Sequence, residues 1–240
     1  MNDILKRCTF AIISHPDAGK TTMTEKIIWH GQVIRETGMV KSKKGNYAKS
    51  DWMELEQQRG ISVSSSVMSF DFHDRAMHLL DTPGHKDFSE DTYRTLTAVE
   101  TALMMIDSAK GVEAQTKKLM EVCRLRDTPI VTFMNKFDRD AMDPFELLEN
   151  VEQICSIQCV PMNWPVGDGV TFTGIYEFAT KKIKLFSKEI EEPGDIEEID
   201  ASNLDSKEVN DKIGEDNINK LKEDIELITE MIPELDHDEF

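Results

Sequence analysis

The chain has 240 residues, 39% of them apolar and 31% charged, with a net charge of −18. Most of the acidity lies in residues 187–240, which hold 20 acidic against 5 basic side chains, while the other 186 residues hold 26 against 23. This length accommodates one large α/β domain, or one domain with an appendage, and the acidic total argues against bulk electrostatic attraction to nucleic acid, DNA included, while leaving room for a local basic patch.

Thr9-Phe10-Ala11-Ile12-Ile13 reads as a buried strand and residues 22–29 as a helix. Between them runs Ser14-His15-Pro16-Asp17-Ala18-Gly19-Lys20-Thr21, followed by Thr22. Strand, loop, Gly-Lys-Thr, helix is the context of a phosphate-binding loop. Backbone N–H groups at the helix N-terminus face the anion, Lys20 adds positive charge, and the Thr21 hydroxyl is a ligand for Mg²⁺. Ser14 stands where the usual pattern has its first Gly, and taken alone the stretch also fits a tight turn capping a buried helix. Residues 36–50 are polar and aperiodic and read as a long loop, with Lys41, Lys43, Lys44 and Lys49 forming a basic edge. Residues 51–58 read as a short helix. The alternation over 63–72 and the apolar run 76–81 predict a hairpin across His73, Asp74 and Arg75.

Asp81-Thr82-Pro83-Gly84-His85 closes that second strand. A carboxylate at a strand end, with a Gly that lets backbone approach phosphate, suits metal-linked sensing of a terminal phosphate; a plain Pro-Gly turn has the same letters. Further strands are predicted at Thr101–Asp107 and Ile130–Met134, with a helix over 112–126 between them. The second of these strands ends in Asn135-Lys136-Phe137-Asp138. Short apolar strands alternating with amphipathic helices predict an α/β fold with a doubly wound, mostly parallel sheet, whose ligands bind at the carboxyl ends of the strands. All three motifs lie there. A helix from Pro144 to about 157 follows, then strands within 159–167 and 174–186. Residues 187–210 have the composition of a solvated or disordered connection. Ile218, Leu221, Ile225, Ile228 and Ile232 recur at helical spacing behind the acidic Glu215 and Asp216. Cys8, Cys123, Cys155 and Cys159 make neither a disulfide framework nor a zinc pattern, so buried free thiols are expected. No apolar run approaches the ~20 residues of a membrane span and no signal-peptide core is present, which predicts a cytoplasmic chain without a membrane partner.

An Asp138 carboxylate accepts from both the ring N–H and the exocyclic amine of guanine, a pairing that adenine does not offer. In the order phosphate loop, Asp-Thr-Pro-Gly, Asn-Lys-x-Asp, the three motifs specify a guanine-nucleotide site for GTP or GDP with Mg²⁺.

Ser14 to Thr22, Arg59-Gly60-Ile61-Ser62 and Asp81 to His85 resemble the translational GTPases. Within that group Ser50 to Glu54, Asp87 to Leu96 and Leu119 to Pro129 are most similar to the bacterial peptide-chain release factor 3 family. The resemblance implies a ribosome-stimulated GTPase that promotes dissociation of class-1, codon-reading release factors, with ribosomal RNA and proteins as partners. It implies Lys20 on the β- and γ-phosphates; Thr21, Ser62 and Asp81 on Mg²⁺; the Gly84 N–H on the γ-phosphate; and His85 on the attacking water. Asp17 is implied in neutralising charge in the transition state through a bound monovalent cation, and Pro16 and Ile61 in gating His85. It divides the chain into a G domain over residues 1–158 and an acidic α/β insertion over 159–240. The chain is expected to stop before a last strand, a last helix and ribosome-binding β domains, leaving Ile130–Met134 as an open sheet edge. Two other readings stand beside this one: elongation factor G-like translocation, and a G-domain fragment that binds nucleotide or a partner without useful turnover.

Overall fold

The computed structural model describes residues 6–31, 66–82, 89–186 and 196–232. The long loop and helix expected over 36–58, Ile61, Ser62 and the stretch from Pro83 to Phe88 lie outside the described residues. Packing divides the chain into two compact units, residues 1–135 and 136–240.

In the first unit, β1 (Arg7–Ser14) leads to α1 (Lys20–His30). Next come β2 (Ser66–Phe72), β3 (Arg75–Asp81), α2 (Ser89–Leu96), β4 (Thr101–Asp107), α3 (Ala114–Leu125) and β5 (Ile130–Asn135). The sheet order is β2-β3-β1-β4-β5, with β1 parallel to β3 and β4, β4 parallel to β5, and only β2 antiparallel. The β2–β3 hairpin turns at His73 and Asp74, which have φ of 44° and 59°; two consecutive left-handed residues match the right-handed twist of the flanking strands. The central strands read as near-continuous apolar runs because both faces are covered. Ala11, Ile12 and Ile13 of β1 and Ala102, Met104 and Met105 of β4 are fully buried. Helices α1, α2 and α3 pack against β1.

One element of this unit departs from the sequence reading. Helix α2 has no apolar period to announce it: it buries Thr92 and Thr95 beside Leu96, so hydroxyls occupy positions where a stripe of Leu or Ile would be expected. Among the described strands β5 lies at a sheet edge, and Val131 and Phe133 on one of its faces are 55% and 40% exposed.

The second unit holds α4 (Pro144–Cys155), β6 (Asn163–Val166), β7 (Gly174–Glu177), β8 (Lys182–Leu185), β9 (Glu197–Asp200), α5 (Lys207–Ile213) and α6 (Glu215–Met231). Its sheet is antiparallel in the order β6-β7-β8-β9. Trp164, Tyr176, Ile183, Ile199, Val209, Leu221 and Ile228 share one core, against which Phe145 of α4 packs. Asp143 starts α4 by accepting from the Phe145 N–H at 2.9 Å, with Pro144 pre-set for the first turn.

The expectation of a disordered connection over 187–210 is corrected in its second half. Residues 197–200 form β9 and Ser206 starts α5, its hydroxyl accepting from the Val209 N–H at 3.3 Å. The acidic composition hid three inward residues, Ile199, Ala201 and Val209, all buried. The flanking carboxylates are answered across the sheet and from α5: Lys182–Glu198 at 2.9 Å and Lys212–Glu197 at 2.6 Å. Among the described residues no helix is long and apolar enough to cross a membrane, and the four cysteines are free.

Candidate functional site

The loop from β1 to α1 is shaped by two left-handed residues, Asp17 at φ 67° and Gly19 at φ 103°. Gly19 is required twice over. L residues avoid that backbone region, and a Cβ there would overlap the side-chain amide of Asn135. Helix α1 begins at the next residue with no side-chain cap and no acidic residue in its first turn. The N–H groups of its first turn and the positive end of its dipole therefore face outward together, an arrangement suited to an anion. Thr21 is half-buried and Thr22 exposed in that turn.

Lys20 is buried, and its Nζ lies against Asp81 Oδ1, also buried. The parallel pairing of β1 with β3 sets Ile12 opposite Asp81 and so delivers the carboxylate to the carboxyl end of the sheet beside the loop. Thr82 fastens the same strand end by donating its hydroxyl to the Ile12 carbonyl at 2.7 Å. Either charge buried alone would cost several kcal/mol. Together they form a neutral pair in which the ammonium can also face a phosphate and the carboxylate a hard cation. Thr21 and Asp81 present oxygens only, and one carboxylate with one hydroxyl leaves sites for phosphate oxygens and water; this donor chemistry fits Mg²⁺. The third expected ligand, Ser62, lies outside the described residues. Among the described residues no group of three or more His, Cys, Asp or Glu side chains could hold a metal.

Asn135, at the end of β5, donates its side-chain amide to the Ala18 carbonyl at 2.9 Å, and its main-chain carbonyl accepts from the Ser108 N–H at 2.9 Å. His15 Nε2 lies 3.4 Å from Glu113, which precedes α3. Neither contact is written in a local motif: Asn135 and Ala18 are 117 residues apart, and Glu113 belongs to no recognised pattern. Among the described residues Ser14 Oγ, at the end of β1, and His15 Nδ1, next to it in the loop, are buried without a hydrogen-bond partner. Pro16 is half-buried and Ala18 buried.

The other letters of the Asn-Lys-x-Asp motif begin the second unit. Lys136 has φ 75° and accepts at its carbonyl from the Arg139 N–H at 3.1 Å, closing a tight turn. Asp138 is exposed on that turn, 3.9 Å from the Arg139 guanidinium. Pro83, Gly84 and His85 lie outside the described residues.

The crystal structure of ttk003000868 from Thermus thermophilus superposes with a TM-score of 0.72 at 22% identity, covering 95% of this chain and 33% of that one. The chain thus spans about a third of that protein's length, and at this identity the likeness speaks for the fold. The family model of the elongation factor Tu GTP binding domain matches residues 5–233, nearly the whole chain and all three motifs. The chain belongs to that family and is a GTP-binding GTPase domain of the translation-factor kind.

Proposed function

We propose that this chain is the GTP-hydrolysing domain of a cytoplasmic translation termination factor of the release factor 3 type, acting on the ribosome to promote dissociation of class-1 release factors. The observation that carries the GTPase part is the pairing of Lys20 with Asp81 beside the uncapped N-terminus of α1. The stretches Ser50 to Glu54, Asp87 to Leu96 and Leu119 to Pro129 support the termination part. In this reading residues 1–158 are the G domain and residues 159–240 its insertion.

Lys20 holds the β- and γ-phosphates, and Thr21, Ser62 and Asp81 hold Mg²⁺, which when bound supplies neutralisation of charge on the phosphate oxygens. The Gly84 N–H meets the γ-phosphate, and His85 aligns the water, with Pro16 and Ile61 limiting its approach. Water adds to the γ-phosphorus as the bond to the β–γ bridging oxygen breaks, giving GDP and phosphate, and Asp17 would hold a monovalent cation that offsets the negative charge that develops. Asp138 reads the guanine edge.

Single-turnover GTP hydrolysis with and without ribosomes tests this for wild type, Lys20→Ala and His85→Ala. Lys20→Ala removes nucleotide binding; His85→Ala keeps it and loses the ribosome-stimulated rate, because its role begins when water is aligned. Equal loss of GTP affinity in the two variants would refute the division of roles. Binding without any stimulated turnover in the wild type favours a nucleotide-dependent binding module. Stimulated turnover that moves messenger RNA rather than releasing a class-1 factor favours elongation factor G-like translocation.

A further inference from the structure

The exposed position of Asp138 raises a question of support. A carboxylate that must offer two acceptors to one base edge needs a fixed orientation, yet 68% of this side chain is exposed and its ion pair is with Arg139, itself 71% exposed. Such a pair is loose and contributes little to orientation. The support comes from elsewhere in the second unit. The Gly169 N–H donates to the Phe137 carbonyl at 2.9 Å, immediately before Asp138. The Phe137 ring stacks on Phe172 with centroids 6.3 Å apart and planes at 27°, and Phe172 in turn meets Phe186 at 5.8 Å. A backbone bond and a ring contact thus hold the residue beside Asp138, one from the short turn Gly169–Thr171 and one from the residue that follows it.

That turn is itself built to be stiff. The Asp168 N–H donates to Thr171 Oγ1 at 3.0 Å, and the Thr171 N–H donates to the Asp168 carbonyl at 2.8 Å. Gly167, at φ 79°, lies so close to the Thr171 carbonyl that a Cβ would overlap it. Lys220 of α6 reaches Asp168 at 3.4 Å, linking the turn to the helix whose apolar face fills the core of the unit. Stacked aromatic rings at this spacing resist reorientation, and ordering a recognition loop before binding removes that cost from the binding step.

We propose that the turn over residues 167–172 sets guanine selectivity, with Phe172 as a positioning residue that acts on Asp138 through Phe137. This rests on the reading of Asp138 as the base-contacting carboxylate. The second unit is then part of the specificity apparatus and not only an appendage.

The test is the ratio of dissociation constants for IDP and GDP, which differ by the exocyclic amine that Asp138 would accept from. A hydrogen bond to a charged group gives the wild type a preference for GDP of about tenfold or more. Phe172→Ala and Phe172→Leu lower that ratio by about threefold or more, as expected when the carboxylate is no longer held in line; Phe172→Tyr, which keeps the stacked ring, restores it. Equal weakening of GDP and IDP, or an unchanged ratio in a folded variant, overturns the proposal. So does failure of both Phe172→Ala and Phe172→Leu to fold, which makes Phe172 a structural residue. A control separates the levels. Asp138→Asn shifts preference from GDP to XDP if Asp138 reads the base. Persistence of GDP preference there overturns the base reading and this inference together, whereas a shift there with an unchanged Phe172→Ala ratio overturns the inference alone.

Discussion

Gly19→Ala is predicted to weaken both the fold and the phosphate loop, and the structure separates its two costs. The residue sits at φ 103°, where an L side chain costs about 1–2 kcal/mol. The new Cβ would also displace the Asn135 amide, breaking its 2.9 Å bond to the Ala18 carbonyl, which contributes about 1 kcal/mol. Together the loss is about 2–3 kcal/mol. Asn135→Ala alone removes only the hydrogen bond, at about 1 kcal/mol. In the double variant the obstacle is gone and the backbone cost remains, so its loss stays at about 2–3 kcal/mol instead of the sum of the singles, a coupling of about 1 kcal/mol. Urea unfolding of the four proteins, compared at a common denaturant concentration, reads this directly. Strict additivity would refute the argument, because the Asn135 amide would then not be what the Cβ meets.

Two further outcomes follow from titrating groups. Burial raises the pKa of Asp224, with Asp143 and Glu223 adding to the rise and the Trp164 indole N–H and Lys220 opposing it. The folded state then holds that proton more tightly than the unfolded chain, and the stability contributed falls as pH climbs from the ordinary aspartate range through the raised value. Asp224→Asn can still accept from Trp164, now at 2.8 Å. Its unfolding midpoint therefore exceeds that of the wild type at pH 7 and converges with it in acid; a difference independent of pH contradicts the assignment. Burial also pushes the Cys123 and Cys159 thiols up to about 11. At pH 8 only about one in a thousand is thiolate, so both resist iodoacetamide in the native protein and react once it is unfolded. Mass spectrometry of native and unfolded samples checks this, and equal labelling rates would count against it.

What was legible in the sequence is what local chemistry writes locally. β1 and β4 were visible as runs of apolar residues because a central parallel strand is buried on both faces. The phosphate loop was visible because Gly19, Lys20 and Thr21 are adjacent in the chain. Helix α2 was not, since its buried positions are Thr92 and Thr95, residues without a hydrophobic signature. β9 was not, since Ile199 is its single buried residue, set among Glu197, Glu198 and Asp200. Average composition described the exterior of that region correctly and concealed the few side chains that fold it.

The Asn-Lys-x-Asp motif shows where sequence reading ends and geometry begins. As four adjacent letters it reads as one device for one base. In the structure its first residue closes β5 and works on the phosphate loop, through the Ala18 carbonyl and the space above Gly19. Its third residue, the free position of the motif, is held by Gly169 and Phe172 of the second unit. Neighbouring residues are thus anchored by segments far from each other in the chain, and their substitutions should report differently. Changes at Asn135 act on the geometry that receives phosphate, for any purine nucleotide alike. If Asp138 reads the base as proposed, changes at Phe137 or its partners act on its orientation and hence on the choice of base. The position that the motif leaves unspecified is the one through which this chain's own second unit holds the residue next to Asp138, the carboxylate proposed to read the base.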